Sequence, residues 1–169
     1  MIAEIEPTEL QKSLVDEALY LRVRIAGAYA QVEFLSADIS VKLDLRSPYL
    51  IEARIKAVKR IADRHGYEIY KDELEPACEE LLQYDELRHL MTHGFLRLTT
   101  DKKGNHQFEF LRYQRDGEGK FKLLSAKTTI ERLRQAAGDI GEYVSHVIKL
   151  FERIYREQKL EPRAFEGVR

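Results

Sequence analysis

Two long runs of apolar residues at helical spacing decide what this chain can fold into. From Thr128 onward, Ile130, Leu133, Ala137, Ile140, Val144, Val147, Phe151 and Ile154 recur at alternating intervals of three and four, which puts all eight on one stripe of a helix. The N-terminal third repeats the pattern with Leu10, Leu14, Ala18, Leu21, Ile25, Ala28, Val32, Leu35, Ile39 and Leu43. A bend is expected at Gly27, because glycine weakens a helix interior by about 1 kcal/mol. Unbroken, this helix spans about 50 Å at 1.5 Å per residue. Both stripes demand partners to pack against.

Shorter helices supply them. Ser47 and Pro48 read as the N-cap and first residue of a second helix carrying Leu50, Ile51, Ile55, Val58 and Ala62, with its stop at Gly66. A third is expected to begin near Glu75 and Pro76 and to run through Leu81, Leu82, Leu87, Leu90 and Met91 toward Gly94. Between it and the last helix, aromatic and β-branched runs at Phe95–Thr100, His106–Tyr113 and Lys120–Leu124 alternate with Gly-containing turns, the pattern of a hairpin or three-stranded meander. The expected fold is therefore mainly α: a four-helix up-and-down bundle with a small β insert, residues 95–125, between helices 3 and 4. Residues 1–158 form one domain on this reading, and 159–169, which lack periodicity, a flexible tail.

Composition closes off several functions. Lys plus Arg number 28 against 29 Asp plus Glu, a net charge of -1, so no general basic field exists to coat a polyanion. Locally the balance differs. Residues 97–134 hold ten basic and five acidic groups, whereas 71–86 are strongly acidic. Solvated surfaces carry such charge too; the alternative is that the basic insert holds a nucleic-acid backbone. Cys78, the single cysteine, can form neither an internal disulfide nor a Cys-rich zinc site, and among Leu74, Leu81 and Leu82 it reads as core. No leader peptide or spanning stretch is visible, so a cytoplasmic location without membrane insertion is expected.

Chemistry concentrates in Tyr84-Asp85-Glu86-Leu87-Arg88-His89-Leu90-Met91-Thr92-His93-Gly94. Arginine offers a permanent planar charge for a phosphate, and histidine a proton carrier near neutral pH, the minimum for acting on a phosphodiester. In a continuous helix Arg88 and His93 point about 140° apart. Gly94 allows the helix to end and His93 to swing round. Capping of the last carbonyls by the same side chains is the structural alternative. Tyr84, one turn before Arg88, either packs in the core or stacks on a base.

The string LRHLMTHG on a late helix of a small bundle resembles the signature of HEPN (higher eukaryotes and prokaryotes nucleotide-binding) domains, an Arg followed by four to six residues and a His. Arg88, four intervening residues and His93 match it; His89 fills the polar position where the family more often carries Asn. The resemblance implies a metal-independent endoribonuclease, a homodimer in which two Arg/His motifs share one cleft. Arg88 then binds phosphate, His93 is the acid or base, and His89 helps, with no cofactor. It also implies a toxin or phage-defence role, with RNA as substrate and an antitoxin protein as possible partner.

Two other readings compete. Asp85, His89 and His93, spaced at four and four, could line one helix face and bind zinc, although the Glu of the HExxH pattern is replaced by Leu90. A non-catalytic dimeric adaptor that keeps the bundle without the chemistry fits the same sequence.

Overall fold

The computed structural model describes residues 6–45, 48 and 50–160. Ser47 and the stretch 161–169 fall outside the described residues, so neither the Ser47 cap nor most of the expected tail is described. Five α-helices and a three-stranded antiparallel sheet make up the fold: α1 Glu9–Lys42, α2 Ile51–Lys59, α3 Lys71–Gln83, α4 Asp85–His93, β1 Phe95–Thr100, β2 His106–Arg115, β3 Phe121–Thr128 and α5 Ile130–Glu157. Short 3₁₀ turns at Arg60–Asp63 and Glu68–Tyr70 lie between α2 and α3.

The expected four-helix up-and-down bundle with a small insert is thus incorrect. The third helix is two, because the chain turns at Tyr84. There the Tyr84 ring lies 5.4 Å from that of Tyr143, and the Tyr29 hydroxyl donates to the Asp85 carboxylate at 3.2 Å. The sheet, in turn, supplies part of a core, with Phe108 and Phe110 of β2 fully buried. Helix limits also move. α1 runs unbroken through Gly27. Pro48 stands outside α2, whose N-cap is Leu50. α3 begins at Lys71 and keeps Pro76 inside, where it forfeits one backbone hydrogen bond.

Start signals explain the two long helices. Thr8 and Gln11 form a reciprocal capping box before α1, the Gln11 amide donating to Thr8 Oγ1 at 3.2 Å and the Thr8 amide to Gln11 Oε1 at 2.9 Å. Thr129 caps α5. All eight stripe residues of α5 are buried, so periodicity and core coincide there.

The chain divides into two compact units. One comprises the described residues up to Ala26 and Glu86–Asp139. In it β1, β2 and β3 pair in chain order, joined by two turns of identical chemistry. Asp101 accepts from the Lys103 and Asn105 amides, and Asp116 from those of Glu118 and Lys120; Gly104 and Gly119, both at positive φ, complete them. Arg134 grips Glu17 through two nitrogens at 2.6 and 2.7 Å.

The other unit comprises Gly27–Asp85 and the described residues from Ile140 on. Its core is built around Tyr29, Ile39, Ile55, Leu74, Leu81 and Ile154. Buried tyrosines are satisfied: Tyr143 donates to the Ala77 carbonyl at 2.7 Å and Tyr155 to Asp38 at 2.5 Å. Burial pushes both phenols above the ordinary tyrosine range. Among the described residues no helix is long and apolar enough to cross a membrane.

Candidate functional site

The nine-residue α4 carries Arg88, His89 and His93, and the first unit fixes its C-terminal end. A helix leaves its last carbonyls without intrahelical donors. Here Arg22 of α1 supplies them, its Nε donating to the Met91 carbonyl and its Nη2 to that of Thr92 at 3.3 Å. The Thr92 hydroxyl bonds back to the Arg88 carbonyl at 2.8 Å. Arg22 was not legible as part of the site, since it belongs to another helix far upstream.

His93 remains the last helical residue and does not swing out. The motif is joined through His89 instead. Arg88 Nη2 stands 2.8 Å from His89 Nε2, and the His89 and His93 rings lie 5.9 Å apart at 33°. Arginine has donors alone, so a hydrogen bond across this contact needs the facing nitrogen of His89 as acceptor. Arg88 and His89 are half-buried; His93 is exposed. A guanidinium, a half-buried imidazole and an accessible imidazole thus follow one another along a single helix, a set able to hold an anion and to exchange a proton beside it.

The other candidates fall into structural roles. Tyr84 packs on Tyr143. Among the described residues no group of three or more His, Cys, Asp or Glu side chains could hold a metal ion, which overturns the zinc reading of Asp85, His89 and His93. Burial pushes the Cys78 thiol up to about 12, which makes it an inert core residue. His106 pairs with the Thr100 hydroxyl at 3.0 Å, and His65 and His146 are exposed.

No family model, no curated protein and no solved structure matches this chain.

Proposed function

We propose that this chain is an endoribonuclease working without a metal ion, in which Arg88 binds the scissile phosphate, His93 moves the proton and His89 positions Arg88. The carrying observation is the contact sequence Arg88–His89–His93 on α4. In the reaction the ribose 2′-oxygen forms a bond to phosphorus as a base takes its proton, and the bond from phosphorus to the 5′-oxygen breaks as an acid protonates that oxygen. A cyclic phosphate and a 5′-hydroxyl result. The extra charge on the phosphorane oxygens is where a guanidinium has most effect. Base and acid are two groups, and one α4 offers a single exposed imidazole, so a second copy of the chain supplies the other His93. The resemblance of the LRHLMTHG string to HEPN domains would add a toxin or phage-defence role restrained by an antitoxin protein.

A non-catalytic interaction protein is the second reading. It is favoured by Phe34 and Val41, which stand one heptad apart on α1 and are 56% and 70% exposed, whereas the apolar stripe of α5 is spent on core packing.

Labelled RNA incubated with the purified chain in EDTA decides between them. Cleavage that survives chelation and disappears in both Arg88→Ala and His93→Ala is expected. Activity lost on chelation and restored by zinc contradicts the metal-free mechanism, and inactivity under every condition leaves the interaction protein.

A further inference from the structure

The sheet of the first unit has two faces, and part of one of them is unspent. Alternate residues of a strand share a face. Phe108 and Phe110 of β2 turn inward and are buried. The opposite face carries Phe95 of β1, Leu111, Tyr113 and Arg115 of β2, and Phe121 and Leu123 of β3. Register orders the aromatic rings among them: Phe95 stands opposite Leu111, Tyr113 opposite Leu123 and Phe121 opposite Arg115. Each step from strand to strand therefore advances two residues, and Phe95, Tyr113 and Phe121 form one straight diagonal with neighbours about 7–8 Å apart. The three are 65%, 71% and 72% exposed. Among the described residues none of them stacks on another aromatic ring.

Such exposure is costly for a plain surface, and the charges around it select an occupant. On its strand positions this face carries Arg97, Arg115 and Lys127 against a single acid, Glu109. Arg97 Nε already bonds Glu109 at 2.7 Å. Lys127 stands directly opposite Glu109 and shares that carboxylate, so the cation at the rings is Arg115, opposite Phe121. Separated rings beside a cation suit a chain with exposed π-faces and a regular negative backbone. That describes single-stranded nucleic acid, whose bases stack on aromatic side chains with little regard to sequence. A duplex keeps its bases paired and offers no such faces. We propose that this sheet face binds single-stranded RNA, one base on each of Phe95, Tyr113 and Phe121, with Arg115 meeting the phosphates.

The diagonal starts at the candidate site. Phe95 follows His93 by two residues, at most about 7 Å along the chain. RNA stacked on the sheet thereby arrives at α4. The inference rests on the reading of the chain as an RNA-handling protein, yet binding needs no cleavage.

The test uses the full chain and a labelled 2′-O-methyl oligouridine of about ten nucleotides, matched to typical single-strand sites. Its blocked 2′-oxygen cannot attack, so cleavage and binding are read apart. Fluorescence anisotropy is expected to show binding that weakens about 5- to 150-fold in Tyr113→Ala and in Phe121→Ala, the range for loss of one stacked base. Tyr113→Phe restores it. Arg115→Gln reduces the salt slope by about 0.7. Circular dichroism confirms that these exposed substitutions leave the fold intact. Absence of binding by the wild-type chain, or wild-type affinity in folded Tyr113→Ala and Phe121→Ala, overturns the proposal. So does concentration-dependent self-association, abolished by Tyr113→Ala in a chain that binds no oligonucleotide, since the face then belongs to a second copy. Binding by a chain that cleaves no RNA in EDTA leaves this inference standing and removes the nuclease.

Discussion

Arg22 donates its Nε–H to the backbone carbonyl of Met91, closing the end of α4 from a different helix. The guanidinium does two things there. It satisfies carbonyls that the helix leaves without donors, and it sets positive charge against the negative end of the helix dipole. The last turn of α4, which holds His93, is fixed by that contact. Arg22→Ala is expected to cost about 1.5–3 kcal/mol in urea unfolding, the range for a hydrogen bond to a charged group. Amide exchange at Gly94 and Phe95 should accelerate, and cleavage should fall although Arg22 lies outside the Arg88–His93 set. Unchanged exchange at those two amides would contradict the capping role.

Gly94 joins α4 to β1 with almost no room. A Cβ there would run into the Leu90 carbonyl oxygen and meet Phe110 Cδ1 at 3.4 Å. The Gly94 amide also continues the helical bonding to Leu90 at 2.9 Å, so the backbone cannot move aside without losing it. Gly94→Ala is therefore expected to destabilise by about 1–3 kcal/mol, as overpacking does. Equilibrium denaturation checks this, and a neutral result would show that the strand start shifts freely.

What the sequence made legible divides along physical lines. The α5 stripe was readable because helical period is local and each of its apolar residues is buried. The strands were readable within a few residues because Asp, Gly and Asn mark their turns. The Tyr84 break was not, since it is set by a ring docking on Tyr143, distant in sequence. A run of good helix formers conceals such a tertiary choice. Arg88, His89 and His93 were readable as residue types, but their linkage through His89 needed coordinates. The diagonal on the sheet needed the register, because Phe95, Tyr113 and Phe121 share no regular interval.

Glu109 gives the first unit an acid-sensitive element. Bonds from the Ser125 hydroxyl and the Arg97 guanidinium hold its carboxyl below the usual glutamate range. A group lowered on folding contributes stability that is complete above the unfolded value, about 4.3, and is lost as pH falls through the folded one. Wild type should therefore exceed Glu109→Gln in melting temperature at pH 7, and the two should converge toward pH 3. Parallel curves across that range would show that the carboxylate adds nothing.

Cys78 tests the core of the second unit. With its thiol pushed up to about 12, roughly one molecule in ten thousand carries a thiolate at pH 8. Ellman's reagent should label no cysteine in the native chain and one per chain in urea. Rapid native labelling would mean that the α3 packing opens readily.

His89 and His93 should separate in kinetics because they meet different neighbours. His89 faces the Arg88 guanidinium at 2.8 Å, whereas His93 is exposed, its ring tilted 33° and 5.9 Å from that of His89. If His93 exchanges the proton, His93→Ala removes acid–base catalysis and lowers kcat by about 10²–10⁴. His89 acts on Arg88, so an acceptor in its place should suffice. His89→Asn is expected to keep most activity, while His89→Ala removes this contact to the guanidinium and raises KM more than it lowers kcat. Arg88→Lys should not rescue, because an ammonium lacks the planar fork that both His89 and a phosphate use. Equal losses in His89→Asn and His93→Ala, at unchanged KM, would instead make His89 a proton carrier in its own right.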